Sequence, residues 1–441
     1  MRANTAITRA PSDKRKDEAM TAFNEGAARR VIGVRARSPE SRGKRAGLIA
    51  TALTGIATVV AAGCSSSPTS AAGTGSGSSA AASTGDITIA ATTELSGALS
   101  PAFSPVALGL KAAVAQINAN GGIRGHMLKL AGPYDSESTP AGGTTAAQQA
   151  VSADPAFIIS GGGSAEVSSG APVYTQAGIP WADLSGGIPG VQPYHFSLNA
   201  TSNQLGAAML TEAARSSSAT PLTIGIIGLD SPAVVGEINA VKADAEEKNV
   251  KIADTEVTTT TLTSFASQAE RLVAAHPDVI LDLDTLTSTI LEVRALTTAG
   301  YKGEILGATA ASSVTALQKI DLSNYAGERQ TQLAAPGSVL YKIAQSVGAA
   351  DLAANSNYFS SGFATLYAMA SVLKACGVPC SNTAFQKTAQ AMGNISIPDS
   401  ATFGPVRFSS QSHYGETSLQ FFKWDSASNT AVPDGGAIPL S

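Results

Sequence analysis

The chain of 441 residues is poor in the residue types on which most catalytic and metal sites depend. It has only 3 cysteines and 4 histidines, and His126, His195, His276 and His413 are scattered with no metal-ligand spacing among them. The Gly-x-Ser-x-Gly, His-Glu-x-x-His and P-loop motifs, and a Ser-x-x-Lys pair in a glycine-rich context, do not occur in convincing form. The sequence therefore argues against a metal site and an enzyme, and it implies no cofactor.

Charged residues are also scarce, at 14% of the chain, and they are unevenly distributed. Residues 1–45 hold 12 of the 29 Lys and Arg residues but only 5 of the 33 Asp and Glu residues. The rest of the chain has 17 basic and 28 acidic residues, a net charge of −11. Because nucleic-acid binding depends on neutralising phosphates, this acidic body excludes a nucleic-acid partner. Its length suits two domains or three small ones, and its 44% of hydrophobic residues suits a folded core.

The N-terminal part has the pattern of a secretory signal. A basic cluster ends at Arg45, an uncharged apolar run covers residues 46–63, and Cys64 follows small residues. A run of this length can also span a membrane, but its Ala, Thr and Gly content makes it only weakly apolar. Small residues followed by Cys resemble the lipobox of bacterial lipoproteins, although Ala61 stands where that family prefers Leu. The resemblance implies a diacylated Cys64; a plain signal peptide followed by an incidental cysteine is the alternative.

The segment after Cys64 is rich in Ser, Ala, Gly and Thr and carries no charge. Such a composition is typical of a flexible tether. We therefore expect a signal peptide over 1–63, a lipid-anchored tether over 64–85, and a body held at the extracytoplasmic face of the bacterial cell membrane. The other two cysteines, Cys376 and Cys380, flank a three-residue loop, which in an oxidising compartment predicts a structural disulfide.

From residue 86 the chain alternates short β-branched runs with amphipathic segments. This alternation predicts an α/β fold with parallel sheets flanked by helices. For example, strands are expected over 87–92, 279–283 and 304–307. Two α/β units of similar size follow one another and meet near residue 200. Two such lobes leave a cleft between the ends of their strands, where ligands tend to bind.

The start of the body carries the most specific motif. A strand that begins at Ile87 is followed by the loop Glu94-Leu95-Ser96-Gly97, and the next helix ends in Ile117-Asn118-Ala119-Asn120-Gly121-Gly122-Ile123-Arg124-Gly125. These segments closely resemble the start of the branched-chain amino acid (Leu/Ile/Val) binding proteins, which have the type I periplasmic-binding fold and supply ABC importers. Further matches are Tyr134-Asp135-Ser136, Ile159-Ser160-Gly161 and Gly404-Pro405-Val406-Arg407-Phe408. The resemblance covers nearly all of residues 86–430.

The resemblance implies two discontinuous Rossmann-like lobes joined by a three-crossover hinge. The first lobe is expected over 86–202 and 333–395, and the second over 203–332 and 396–441. The implied protein is a solute-binding lipoprotein, a monomer, that delivers an amino acid or a related carboxylate to the permease and ATPase subunits of an ABC importer. A receptor module on the same fold, which senses a ligand without transporting it, is the alternative.

The resemblance also implies ligand contacts in the first lobe. Ser164 follows three glycines at the start of a helix, where free N–H groups bind carboxylates, and the family uses this Ser for the ligand's carboxylate. A capping role for Ser164 is the alternative. Ser185 and Gly187 lie in the loop after the fourth strand, and Gly187 stands where the family has a ligand-binding Thr; a glycine turn without a ligand contact is the alternative. Phe103 is a candidate pocket wall, or an ordinary half-buried aromatic residue.

The second lobe departs from the family pattern. An acid usually follows the strand that matches 305–307, but Ala308-Thr309-Ala310 stands there, which leaves Thr309 as the polar residue of that loop. The usual aromatic pair at the end of the preceding strand is missing too. Asp284, at that strand end, is the candidate partner for a ligand's ammonium group, and a solvated loop acid is the other interpretation. The sequence therefore does not single out leucine as the ligand.

Overall fold

The computed structural model describes residues 85–398 and 401–440. The predicted signal peptide, the lipidation site Cys64 and the tether up to residue 84 lie outside the described residues. Within them, none of the helices combines the length and apolar character needed to cross a membrane.

Strands and helices alternate along most of the described chain. The strands are β1 (Ile87–Thr93), β2 (Leu128–Asp135), β3 (Ile158–Ser160), β4 (Trp181–Asp183), β5 (His195–Ser197), β6 (Thr223–Leu229), β7 (Lys251–Thr258), β8 (Val279–Leu283), β9 (Glu304–Gly307), β10 (Tyr325–Arg329), β11 (Asn394–Ile395), β12 (Val406–Arg407), β13 (Ser418–Asp425) and β14 (Thr430–Pro439). The helices are α1 (Ser100–Ala119), α2 (Pro140–Ser152), α3 (Ser164–Ala177), α4 (Ser202–Ser216), α5 (Pro232–Glu247), α6 (Ala266–Ala274), α7 (Leu286–Thr298), α8 (Val314–Ile320), α9 (Val339–Ser346), α10 (Ala350–Asn355), α11 (Asn357–Cys376) and α12 (Asn382–Ala391), with a 3₁₀ turn at Thr309–Ala311.

Two large sheets organise these elements. The first has the order β2-β1-β3-β4-β5 and is parallel throughout. The second has the order β14-β13-β10-β9-β8-β6-β7; it is parallel from β10 to β7, and β13 and β14 join antiparallel. The predicted α/β fold with two parallel-dominated lobes is confirmed. We call the five-stranded sheet with α1–α3 and α9–α12 the first lobe, and the seven-stranded sheet with α4–α8 the second lobe.

Local sequence explains where many helices start. Side-chain oxygens of five Ser and Thr residues accept backbone N–H groups of the first helical turn, which would otherwise lack partners. These residues are Thr139, Thr201, Ser313, Ser338 and Ser381. At Thr201 the cap is reciprocal, because the side chain of Gln204 also accepts the Thr201 N–H at 3.0 Å.

The core of the first lobe is built around the packing of α1 against α11. Gly109 of α1 permits this close approach, since a Cβ atom there would lie 2.0 Å from the backbone oxygen of Phe359. Phe359 and Phe363 are fully buried in the same cluster. At the end of α11 the sulfurs of Cys376 and Cys380 are bonded to each other.

The chain passes between the lobes three times, before α4, after β10 and before β13. The first two crossings touch, because the Ala200 N–H donates to the Gln330 side chain at 2.8 Å. The third lies further along the chain than the expected boundary after residue 395. Val406 and Phe408 are buried in the core of the first lobe, and Leu419 is the first of the following residues in the core of the second. The apolar pair at 406 and 408 therefore holds this segment on the first lobe.

Candidate functional site

A cavity of about 290 Å³ lies between the two lobes. It opens at the carboxyl ends of the strands, where parallel α/β sheets place their ligand sites. The residues that line it directly after strands are Leu184 and Ser185 after β4, Asp230 and Ser231 after β6, Asp284 and Thr285 after β8, Ala308 and Thr309 after β9, and Gln330 after β10. Aliphatic and aromatic side chains form much of the remaining wall, among them Leu99, Phe103, Leu205, Val234 and Tyr358.

The structure brings five of the six predicted ligand-contact residues to this cavity. Phe103, Ser164, Ser185, Asp284 and Thr309 line it. Phe103 is buried, and its ring packs on Tyr358 with the ring centroids 4.7 Å apart, so the two rings form one aromatic wall. Gly187 is the exception, because it lies behind Ser164 instead of lining the cavity.

Ser164 is the first residue of α3 and does not cap the helix, because Gly163 occupies the capping position. Its hydroxyl oxygen accepts the backbone N–H of Ala233 at 3.2 Å, and this hydrogen bond joins the N-terminal ends of α3 and α5 across the cleft. The neighbouring Gly163 N–H donates to Oε1 of Glu94 at 2.7 Å. The anion-binding end of α3 is therefore already in contact with a carboxyl group of the protein itself.

Glu94 and Glu166 form a buried pair of carboxyl groups beside the Gly162–Gly163 turn. A Cβ atom at Gly163 would lie 3.1 Å from Glu94 Oε1 and 3.0 Å from Glu166 Oε2, so both groups crowd this turn. Burial raises the pKa of Glu94 to about 8, and the nearby charge of Glu166 adds to this effect, against the lowering by the Gly163 N–H. At neutral pH Glu94 therefore mostly keeps its proton.

Asp183, at the end of β4, holds the loop that contains Ser185. Its Oδ1 accepts the N–H groups of Ser185 at 2.7 Å and of Gly186 at 2.9 Å, and its Oδ2 is paired with the buried His195 side chain at 2.5 Å. Burial alone would raise the pKa of Asp183, but the hydrogen bond and charge of His195 and the two N–H groups outweigh it and hold that pKa below its usual value. The loop is therefore fixed from beneath by an ionised carboxylate.

Position 187 has room only for glycine, because it lies where the two lobes meet. A Cβ atom there would lie 2.7 Å from the Ser164 Cβ and 3.5 Å from the Ala233 Cβ. No side chain fits unless the contact between α3 and α5 opens. The two lobes approach too closely here for the Thr that the family has at this position.

Gly187→Thr (G187T) is expected to weaken ligand binding about tenfold or more, because overpacking costs on the order of 1–3 kcal/mol and here it falls on the contact that closes the cleft. The free energy of unfolding should change less than the binding free energy. Isothermal titration calorimetry with a bound solute and thermal denaturation of the solute-free protein measure the two. Gly436→Ala is the control, since a Cβ atom at Gly436 meets nothing within 4 Å and the backbone there is not left-handed. Equal ligand affinity in G187T and the parent protein would contradict the assignment of Gly187 to the contact that closes the cleft.

The second lobe contributes buried acids to the same cavity. Asp284 is 3% exposed, and its carboxylate accepts the Thr258 hydroxyl and, at 2.6 Å, the Thr285 N–H, so its interpretation as a solvated loop acid is wrong. Glu328 accepts the hydroxyl of Thr309, which in turn accepts the Gln330 amide at 3.0 Å. Burial raises the pKa of Glu328 to about 7, against the lowering by these hydrogen bonds.

Among these buried acids, Glu237 has the fewest hydrogen bonds to offset the cost of its burial. It lies on α5, is 5% exposed, and its Oε1 has no hydrogen-bond partner within the described residues. Burial and the nearby charge of Glu328 raise the pKa of Glu237 well above its usual range. Sequence reasoning missed Glu94, Glu166, Glu237 and Glu328 as site residues. The one available signal was an acid inside an otherwise apolar run, as in Val234-Val235-Gly236-Glu237-Ile238.

Comparison with known proteins places this geometry in a family. The family model described as periplasmic binding protein matches residues 86–430. Comparison with the curated proteins finds no match.

Solved structures share the fold at low sequence identity. A valine-bound branched-chain amino acid ABC transporter protein from Thermus thermophilus is 14% identical with a TM-score of 0.70, over 80% of this chain and 96% of that one. An extracellular ligand-binding receptor from Rhodopseudomonas palustris HaA2 is 18% identical with a TM-score of 0.66, over 79% of this chain and 100% of that one. A fatty acid ABC transporter substrate-binding protein from Thermomonospora curvata is 14% identical with a TM-score of 0.67, over 81% of this chain and 92% of that one.

The matched region spans the first sheet, the second sheet except for β14, and all three crossings between the lobes. Proteins of this family bind solutes and are not enzymes. The chain belongs to the periplasmic binding protein family and has its type I fold.

Proposed function

We propose that the protein is an extracytoplasmic solute-binding lipoprotein, which captures a small polar solute between its lobes and delivers it to the permease and ATPase subunits of an ABC importer. The observation that carries this proposal is the cavity between the lobes, with polar groups supplied by both. A ligand that contacts both lobes favours the closed arrangement over the open one, which gives a transporter a signal that the solute is bound. Diacylation of Cys64 and the tether after it would keep the body beside the permease.

The solute class has to be argued from the cavity, since one fold serves many ligands. One structural neighbour is described with bound valine and another as a fatty acid transporter protein. An amino acid or a related carboxylate is the class that the family resemblance implies. Sensing without transport is the second candidate function, because another neighbour is described as an extracellular ligand-binding receptor.

A thermal-shift screen of the protein, refolded to remove carried-over ligand, tests solute binding. A solute present at about a thousandfold its dissociation constant is expected to add about 4 kcal/mol to the free energy of unfolding. The panel covers amino acids, amides, amines, aromatic acids and sugars. Uptake of the labelled hit by cells with and without the gene then separates transport from sensing. Binding without any loss of uptake in the deletion strain would contradict delivery to an importer and favour a receptor.

A further inference from the structure

The cavity between the lobes has a one-sided charge distribution. Five acidic residues line it, and none of the described residues lining it is Lys, Arg or His. The acids are Glu166 from the first lobe and Asp230, Glu237, Asp284 and Glu328 from the second. A zwitterionic or anionic solute bound here would bring a further carboxylate into a site with no basic side chain to receive it.

Two of these acids carry oxygens without partners, one on each side of the cleft. Glu166 Oε2 and Glu237 Oε1 are buried and have no hydrogen-bond partner within the described residues, and each side chain is 5% exposed. They lie on α3 and α5, whose N-terminal ends are joined through Ser164 and Ala233. Burying a carboxyl oxygen without a hydrogen-bond partner costs free energy. A ligand that supplies N–H donors to both oxygens therefore recovers this cost as binding free energy.

The ends of α3 and α5 also have a positive potential, which on its own favours an anion. That potential already acts on carboxyl groups of the protein, since the Gly163 N–H donates to Glu94 and Glu166 lies in the first turn of α3. Each helix end is equivalent to about half a positive charge. Together they offset about one of the carboxylates around the cavity, and the site remains negative.

We propose that the cavity binds a small aliphatic dication that has no carboxylate, with one ammonium or guanidinium group at Glu166 and the other at Glu237. This inference rests on the proposed solute-binding function and names its substrate class. The apolar wall, which includes Leu99, Leu229 and Val234, contacts the methylene groups between the two charges. Each cationic group supplies the missing hydrogen-bond donors, and at Glu237 it also favours the ionised carboxylate over the protonated form that burial favours.

Ligands of equal chain length and different charge test this assignment. Isothermal titration calorimetry of the purified, ligand-free protein compares 1,5-diaminopentane, pentylamine and 5-aminopentanoate, with leucine as the reference amino acid. The diamine is expected to bind at least tenfold more tightly than 5-aminopentanoate, which differs from it by a carboxylate in place of one ammonium group. Pentylamine should lie between the two.

Variants locate the two contacts. Glu237→Gln and Glu166→Gln should each weaken diamine binding at least tenfold and reduce the difference between the diamine and pentylamine. Glu246→Gln is the matched control, because Glu246 lies on the same helix as Glu237 and is exposed. Both cavity variants are expected to fold, since glutamine keeps the shape of the side chain and removes a buried carboxyl group; thermal denaturation checks this.

Tighter binding of 5-aminopentanoate or leucine than of the diamine would overturn the inference and leave the proposed function standing. Diamine binding that neither Glu237→Gln nor Glu166→Gln weakens would overturn it too. If no ligand of the series binds, the inference is also overturned. Mass spectrometry of solute released from protein purified without refolding then tests the proposed function separately, since any solute that occupies the cavity supports it.

Discussion

Replacing Asp183 with asparagine (D183N) is expected to lower the free energy of unfolding by about 3 kcal/mol or more. The carboxylate is fully buried and paired with the equally buried His195, so its loss leaves the imidazole without its charged partner. The same substitution weakens the acceptor that holds the N–H groups of Ser185 and Gly186. Ligand affinity should therefore fall together with stability. Urea denaturation and calorimetric titration of the variant measure the two effects.

Asp154→Asn is the matched control for D183N, because Asp154 is exposed. The parent protein should also lose the stability that Asp183 contributes when the pH is lowered. The pKa of Asp183 is below its unfolded-state value of 3.8, so the stabilisation is present above pH 3.8 and is lost as the pH falls through the lower folded-state pKa. D183N should show a correspondingly smaller loss of stability below pH 4. An unchanged denaturation midpoint in D183N at pH 7 would contradict the role assigned to the pair.

Between pH 8 and pH 5, the ligand-free protein is expected to become more stable by several kcal/mol. The buried acids have folded-state pKa values above their unfolded ones: about 8 for Glu94, and about 7 for Asp282 and Glu328. Burial is the largest cause in each case. In this range the folded state holds more protons than the unfolded state, so stability falls as the pH rises. Each excess proton contributes up to about 1.4 kcal/mol per pH unit.

Chemical denaturation at half-unit steps of pH gives this profile directly. Glu94→Gln should flatten it by roughly one proton over the range from pH 4.5 to 8, since the glutamine amide has the shape of the protonated acid. The exposed Glu246 serves again as the control position, because its replacement by Gln should leave the slope unchanged. A protein that is most stable at pH 8 would show that these carboxyl groups are ionised without cost.

The fold could be predicted from the sequence where burial on both faces of a sheet leaves a continuous apolar run. The strands expected over 279–283 and 304–307 have those bounds in the structure, because all or nearly all of their residues are buried. The short strand β5 left no such signal, because it has three residues and begins with His195, whose burial depends on its pairing with Asp183. The strand β10 has no continuous apolar run either, because two of its five residues are Glu328 and Arg329, which are buried in the structure.

The candidate site was predictable only in part. Five of the six expected ligand-contact residues lie at the cavity because strand ends converge in this fold, whatever the side chains are. Three acids of the cavity that were not predicted, Glu166, Glu237 and Glu328, come from α3, α5 and β10, which are far apart in the sequence. Their burial depends on the approach of the two lobes, and no local pattern encodes that approach. The position of Glu166, two residues after Ser164, was visible in the sequence, but its orientation was not.

The position of the last two strands in the sequence determines when the second lobe can fold during synthesis. β13 and β14 complete the sheet that begins with β6, although nearly 200 residues lie between β6 and β13. During synthesis the second lobe cannot be completed until almost the whole chain has left the ribosome, whereas the five strands of the first sheet are available early. Folding units usually form in order from the N-terminus. A nascent chain that stops before residue 418 therefore holds β6–β10 with an open edge at β10, which makes the last strands decisive for avoiding aggregation.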